Sequence, residues 1–285
     1  MNRRQALQQS VLLSAAALTG FPDGLLAKNS PYQIGACDWS LGSTCNPLLF
    51  DYAKEIGLQG IQLSYNSPKD ETYLLRPENQ RLMLAASQKT GVKIASLAIG
   101  ELNNVPFKSE AKTIDWVSGS IDAAKALGVK VVLLAFFSKN DLRNDVAGKK
   151  EVIERLRQLA SKAEKNGIIL GIESYLSAEE HLEIINAVGS PNVQVYYDPR
   201  NAADAGNNVY HEIELLGKKK LICEIHLKDN DNLLGQGSLD WPRIRRALDA
   251  VQFKGWAQIE WSVPKGKTIQ EVYGDNVKYA KQIFG

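Results

Sequence analysis

Seven times along the chain an amphipathic stretch closes at a glycine or a glycine-containing turn and gives way to a short apolar run. The series is "AKEIGLQGIQLSY", "ASQKTGVKIASLAI", "AKALGVKVVLLAFF", "AEKNGIILGIES", "INAVGSPNVQVYYD", "ELLGKKKLICEIHL" and "DAVQFKGWAQIEW". A glycine just past a helix supplies the left-handed residue that ends it. The runs that follow are nearly continuous in Val, Ile and Leu, the pattern of parallel strands covered on both faces. The intervening stretches are helical in period. "EVIERLRQLASKAEKNG" sets Val152, Leu156, Leu159 and Ala163 on one stripe, and "AKTIDWVSGSIDAAKALG" does the same with Ile114, Val117, Ile121 and Ala124. An eighth strand comes first, from Tyr32 to Trp39, and "TIQEVYGDNVKYAKQIF" predicts a closing helix.

Eight strand–helix units without an interdomain linker predict an α/β fold, a (β/α)8 TIM barrel, forming one domain over residues 32–285. An open doubly wound sheet would carry a glycine-rich phosphate loop after its first strand, and "GACDWSLGSTC" is no such loop. The residues before the barrel read as an address. "MNRRQALQQSVLLSAAALTG" has Arg3 and Arg4 ahead of a short apolar stretch from Val11 to Leu18, the layout of an export signal. The paired arginines resemble a twin-arginine signal, which places the signal at 1–27 and the working protein outside the cytoplasm, in a bacterial periplasm. The competing reading is an ordinary amphipathic first helix.

Composition narrows the function. A net charge of +2 over 285 residues lacks the concentrated basic face of a nucleic-acid binder. Beyond the N-terminus no apolar run is long enough to span a bilayer. Cys37, Cys45 and Cys223 make no disulfide framework and have no metal-site spacing.

In a barrel of this kind the chemistry sits where strands end and the following loops begin. The strand of "IILGIES" ends on Glu173, that of "VQVYYD" on Asp198, that of "LICEIH" on His226 and that of "WAQIEW" on Glu260. Four adjacent strands thus each present a metal-competent side chain at one rim. Taken singly, each has a plain structural reading: a lone His is usually a satisfied core residue, and a strand-end Asp usually caps the next helix. Together, three carboxylates and an imidazole are costly to bury without a cation. The set predicts one divalent ion, Mn²⁺, Mg²⁺, Co²⁺ or Zn²⁺, held by oxygen and one ring nitrogen. No H-E-x-x-H motif is present.

The segments "GIES", "YYDPRN", "EIHLKDND", "GQGSLDW" and "AQIEW" resemble the xylose isomerase-like barrel superfamily, also called sugar phosphate isomerases/epimerases. The likeness runs from about Tyr32 to the C-terminus. It implies that Glu173, Asp198, His226 and Glu260 bind one metal, and that Glu173 and Glu260 also move the substrate proton. "HLKD" with "GQGSLDW" is similar to the inosose dehydratase and generic isomerase/epimerase branch. The ketose 3-epimerases carry a His three residues after the metal Asp, where this chain has Asn201. They also carry an Arg soon after the metal His, and none occurs here before Arg243. The substrate-holding shell therefore differs from theirs. Glu179 stands where those enzymes have a second carboxylate, or else marks the start of the next helix.

Such a site enolises a carbonyl compound. A metal polarises the carbonyl, and a carboxylate general base removes the α-proton to give an enediolate. Return to the other face is epimerisation, transfer to the next carbon is isomerisation, and loss of a β-substituent is elimination. The expected function is a metal-dependent isomerase or epimerase of a sugar or keto-sugar. A keto-sugar dehydratase or 3-keto-glycoside lyase ranks next, and a non-catalytic sugar-binding protein is the alternative from another class. Lys228, Asp229, Asn201 and Trp261 are the expected substrate contacts. Trp39, Tyr65, Phe136 and Phe137 lie near other strand ends, where aromatic faces suit sugars or simply pack. A DNA-repair endonuclease of this barrel type needs several histidines and a basic groove, and the chain has three histidines. The expected partner is a small sugar, with self-association into a homo-oligomer left open.

Overall fold

Short apolar strands that can be covered on both faces pair here only in parallel. In the computed structural model, which describes residues 30–285, eight of them close on themselves. They are β1 (Tyr32–Cys37), β2 (Gly60–Ser64), β3 (Lys93–Ile99), β4 (Val131–Phe136), β5 (Ile169–Ser174), β6 (Val193–Tyr197), β7 (Ile222–Leu227) and β8 (Gly255–Ile259). Each pairs with its neighbours in chain order, and β8 returns to β1 in the register Tyr32 to Gly255 through Ala36 to Ile259. Closure leaves no sheet edge. The export signal expected over 1–27 lies outside the described residues. Among the described residues no helix is long and apolar enough to cross a membrane.

The helices are α1 (Leu49–Glu55), α2 (Pro77–Thr90), α3 (Lys112–Leu127), α4 (Val146–Asn166), α5 (Ala178–Val188), α6 (Pro199–Asp204), α7 (Val209–Lys218), α8 (Trp241–Ala250) and α9 (Ile269–Phe284). The expected stripes are the buried ones: Val152, Leu156, Leu159 and Ala163 on α4, and Val117, Ile121 and Ala124 on α3, with Ile114 partly covered. Each fully buried Leu or Val contributes about 1.5–3 kcal/mol of transfer free energy.

Five of the expected glycine stops are left-handed, at Gly57, Gly91, Gly128, Gly167 and Gly189. The last two are not as the sequence suggests. After α7 the left-handed residue is Lys220, and after α8 it is Gln252. Gly217 instead lies within α7, where a Cβ would clash with the Val251 side chain. Its glycine serves close approach to that neighbouring chain segment rather than helix termination. Gly255 opens β8.

The barrel interior is divided. Ala98, Val131, Leu133, Ala135 and Tyr196 form one small apolar cluster. Gln62, Ser96, Glu224 and Gln258 are buried polar groups on β2, β3, β7 and β8. Burial pushes the Glu224 carboxyl up to about 8, against hydrogen bonds from Ser96 and Tyr196. The three cysteines are free.

Candidate metal centre

The strands deliver the four predicted side chains to one place. Glu173 and His226 are each the penultimate residue of a strand, and Asp198 and Glu260 each follow a strand directly. All four are buried, and one donor atom from each lies within 4.8 Å of every other. His226 Nδ1 is 3.0 Å from Glu173 Oε1 and 3.6 Å from Glu260 Oε2. The ring is wholly buried, yet this nitrogen faces the carboxylates.

Asp198 satisfies both of its sequence readings. Its Oδ1 accepts from the backbone N–H of Arg200 and Asn201, at 2.7 and 3.2 Å, and so caps α6. Its Oδ2 lies 2.9 Å from Lys228 Nζ, as an ion pair without hydrogen-bond alignment. Lys228 Nζ also donates to Glu260 Oε2 at 2.8 Å. Asn201 Nδ2 donates to Glu173 Oε1 at 3.1 Å, and Trp39 Nε1 donates to Glu260 Oε1 at 3.1 Å.

Electrostatics bind this group together. Burial works against a charged imidazole, but Glu173, Glu260 and Asp198 outweigh it and raise His226 to about 9. The same carboxylates hold Lys228 well above its ordinary value against burial. Burial pushes Glu260 up, and Lys228 and His226 more than reverse it, leaving it below the usual carboxylate range. Burial raises Glu173 despite His226. The neighbouring Glu260 charge adds to that rise, and Lys228 opposes it along with His226.

The donor set fits a divalent cation. Ligands about 2.0–2.6 Å from an ion must stand within about 5 Å of one another. Three carboxylates and one imidazole suit a hard or borderline ion. Such an ion would be held by Glu173, Asp198, His226 and Glu260. It would share Asp198 and Glu260 with the Lys228 ammonium.

Above the cluster opens a cavity of about 550 Å³. Glu173, Asn201, Lys228, Glu260 and Trp261 all line it. Asp229 does not, although it adjoins Lys228. Its Oδ2 accepts from Gly235 N at 2.7 Å and from Trp241 Nε1 at 2.8 Å, which ties the loop after β7 to α8. Trp39 and Phe137 line the cavity, whereas Tyr65 and Phe136 are fully buried core residues. Trp261 is 48% exposed at the mouth. It and Ser262 have φ of +52° and +64°, a left-handed pair without glycine. Trp261 N donates to Ser40 Oγ, Asp229 N to Ser262 Oγ, and Asn276 Nδ2 to the Ser262 carbonyl, which together hold the turn.

Glu101, Asn103 and Tyr175, which are not among the expected contacts, also line the cavity. Glu101 lies two residues past β3, so applying the strand-end reading to all eight strands would have reached it. Glu179, by contrast, sits in the first turn of α5 and pairs with His211 at 3.1 Å on the surface.

Known proteins resemble the chain in sequence and in fold. The family described as xylose isomerase-like TIM barrel matches the chain over residues 50–283. A 2-epi-5-epi-valiolone 7-phosphate 2-epimerase from an Actinoplanes species is 26% identical over 228 residues, 77% of this chain and 82% of the relative. A D-psicose 3-epimerase from Enterocloster bolteae is 29% identical over 143 residues, 47% of this chain and 46% of the relative. Among solved structures, a 3-keto-D-glucoside 4-epimerase from E. coli superposes with a TM-score of 0.73. It is 18% identical and covers 88% of this chain and 99% of its own, a likeness of fold.

Proposed function

We propose that the chain, which belongs to the xylose isomerase-like TIM barrel family, is a metal-dependent isomerase or epimerase of a sugar or keto-sugar. The observation that carries this reading is the placement of Glu173 and Glu260 together, beside Asp198 and His226, on the floor of a roomy cavity. Two carboxylates at one reacting centre allow a proton to be taken by one and returned by the other. The relatives named above are epimerases, which supports the same proton traffic.

A bound divalent ion would supply polarisation of the substrate carbonyl and its neighbouring hydroxyl. The rest falls to the chain's own groups. Glu260, kept ionised by Lys228 and His226, is the better-placed base. Glu173 lies 3.0 Å from the same His226 ring nitrogen and is oriented by Asn201. Charge that grows on the substrate oxygen meets the Lys228 ammonium, a cation held in place at the cavity wall by Asp198 and Glu260. Lys228 holds its proton tightly, so it acts as a fixed charge rather than as an acid. The relatives' epimerase activities rank isomerisation and epimerisation ahead of β-elimination.

The test is isotopic. Incubated in D₂O with a divalent ion and a panel of ketoses and keto-glycosides, the protein is expected to place deuterium at the α-carbon of its substrate. Absence of label across the panel, with sugar binding intact, leaves a binding protein only.

Export belongs to the same proposal and rests on the sequence, on Arg3 and Arg4 ahead of Val11 to Leu18. Expressed in a bacterium, the full chain is expected in the periplasmic fraction, and the double variant Arg3→Lys, Arg4→Lys in the cytoplasm. An unchanged distribution between the two would remove the twin-arginine reading.

A further inference from the structure

The other nitrogen of His226 faces into the barrel, toward a residue far away in sequence. His226 Nε2 is 3.2 Å from Gln62 Oε1, across 164 positions of chain. Gln62 is wholly buried on β2, and its amide has two N–H donors and an oxygen with two lone pairs. Its Nε2 donates to Ser96 Oγ at 3.0 Å and to Tyr196 OH at 3.0 Å. Its Oε1 accepts from Cys37 Sγ at 3.3 Å and stands against His226. Every bonding position of the amide is in use.

The orientation of that amide is decided by its neighbours. Ser96 Oγ donates to Glu224 Oε2 at 2.8 Å and accepts from Gln62 Nε2 at 3.0 Å. A flipped amide would set its oxygen against the lone pairs of Ser96 and its N–H groups against Cys37 and His226. The oxygen therefore faces His226, and an acceptor there requires a proton on Nε2. Once the ring is neutral, Nδ1 carries the lone pair, and Nδ1 is the atom turned to Glu173 and Glu260.

We propose that Gln62 is a positioning residue of the metal centre: it holds His226 in the Nε2–H form and so aims the Nδ1 lone pair at the ion. Ser96 and Glu224 act behind it by fixing the amide. The inference rests on the metal site proposed above. It adds a residue that touches neither ion nor substrate. Partners of this kind orient the ligand and raise its affinity.

The experiment uses zinc alone and the metal-binding protein itself. With three histidines in the chain, ¹⁵N-imidazole spectra are readily assigned. Wild-type protein titrated with Zn²⁺ is expected to keep the His226 Nε2–H signal while the Nδ1 resonance shifts. Gln62→Met should weaken zinc binding roughly 10–100-fold and alter the visible absorption of the Co²⁺ form. Gln62→Glu, which keeps an acceptor against Nε2, should restore binding to near the wild-type level. Should Gln62→Met fail to fold, the wild-type ring spectrum and Gln62→Glu carry the test. Two results overturn the inference alone: a zinc form with the proton on Nδ1, or Gln62→Met binding zinc as tightly as wild type. Failure of the wild-type protein to bind any zinc removes the metal site itself, and this inference with it.

Discussion

Replacing Glu260 with glutamine is expected to leave a folded protein that no longer exchanges the substrate α-proton with solvent. The amide has the shape of the carboxylate and keeps an acceptor for either Lys228 or Trp39, which now bond its two oxygens. Lys228 retains Asp198 at 2.9 Å. Loss of one charge from a cluster of three carboxylates and two cations is a small perturbation of the fold. The chemistry is another matter, because an amide cannot accept the proton. General-base catalysis by a positioned carboxylate contributes roughly 10²–10⁴-fold, and at least that fraction of exchange should vanish. The measurement is deuterium incorporation from D₂O, alongside bound-metal content and circular dichroism. Exchange lost with metal retained assigns Glu260 as the base. Exchange and metal lost together make it chiefly a ligand. Exchange at the wild-type rate takes Glu260 out of the mechanism.

The second large effect is on stability against acid, and it comes from His181. This ring is buried on α5, with Nε2 2.9 Å from Ser174 Oγ and Nδ1 3.0 Å from the Ser177 carbonyl. The neutral imidazole meets both partners, donating from Nδ1 and accepting at Nε2. Burial drives its pKa down to about 4, against the Ser177 carbonyl and Glu180, which favour the charged form. In the unfolded chain a histidine titrates near about 6.5. Between these values the unfolded state takes up a proton that the folded state refuses. Stability is therefore complete above about pH 6.5 and is lost as the pH falls toward about 4, by about 3 kcal/mol in all.

Other buried groups pull the opposite way. Burial raises Asp38 to about 6 and Glu212 to about 7, so these destabilise as the pH rises. The His181 contribution is thus read as a difference. Urea unfolding of wild type and His181→Gln, followed from neutral to acid pH, should converge as the pH drops. Parallel profiles would show that His181 does not titrate in this window. The site has a stake in the outcome, since Ser174 is the last residue of β5 and adjoins Glu173.

Much of this was legible in the chain for a simple reason. Period and punctuation repeat with every strand–helix unit, so each unit confirms the others. The four-residue cluster was readable because equivalent strand ends in a closed parallel sheet lie on one rim, and Glu173, Asp198, His226 and Glu260 occupy those places. Some neighbours in sequence parted company. Lys228 enters the cluster while Asp229 is taken by Trp241 and Gly235, because successive residues leaving a strand point in different directions. Glycine punctuation misled at Gly217, where close packing against Val251 outweighs any role in ending the helix.

The sequence by itself determined the barrel, its eight-fold order and the identity of the four side chains at its mouth, since these follow from local periodicity and residue type. Only the tertiary structure decided that Lys228 shares the carboxylates, that Trp261 stands at the rim in a left-handed turn, and that Gln62 on β2 meets His226 on β7. Those contacts cross the interior of a closed sheet, and the distance across a barrel is set by strand number, tilt and register together. No local pattern encodes that distance.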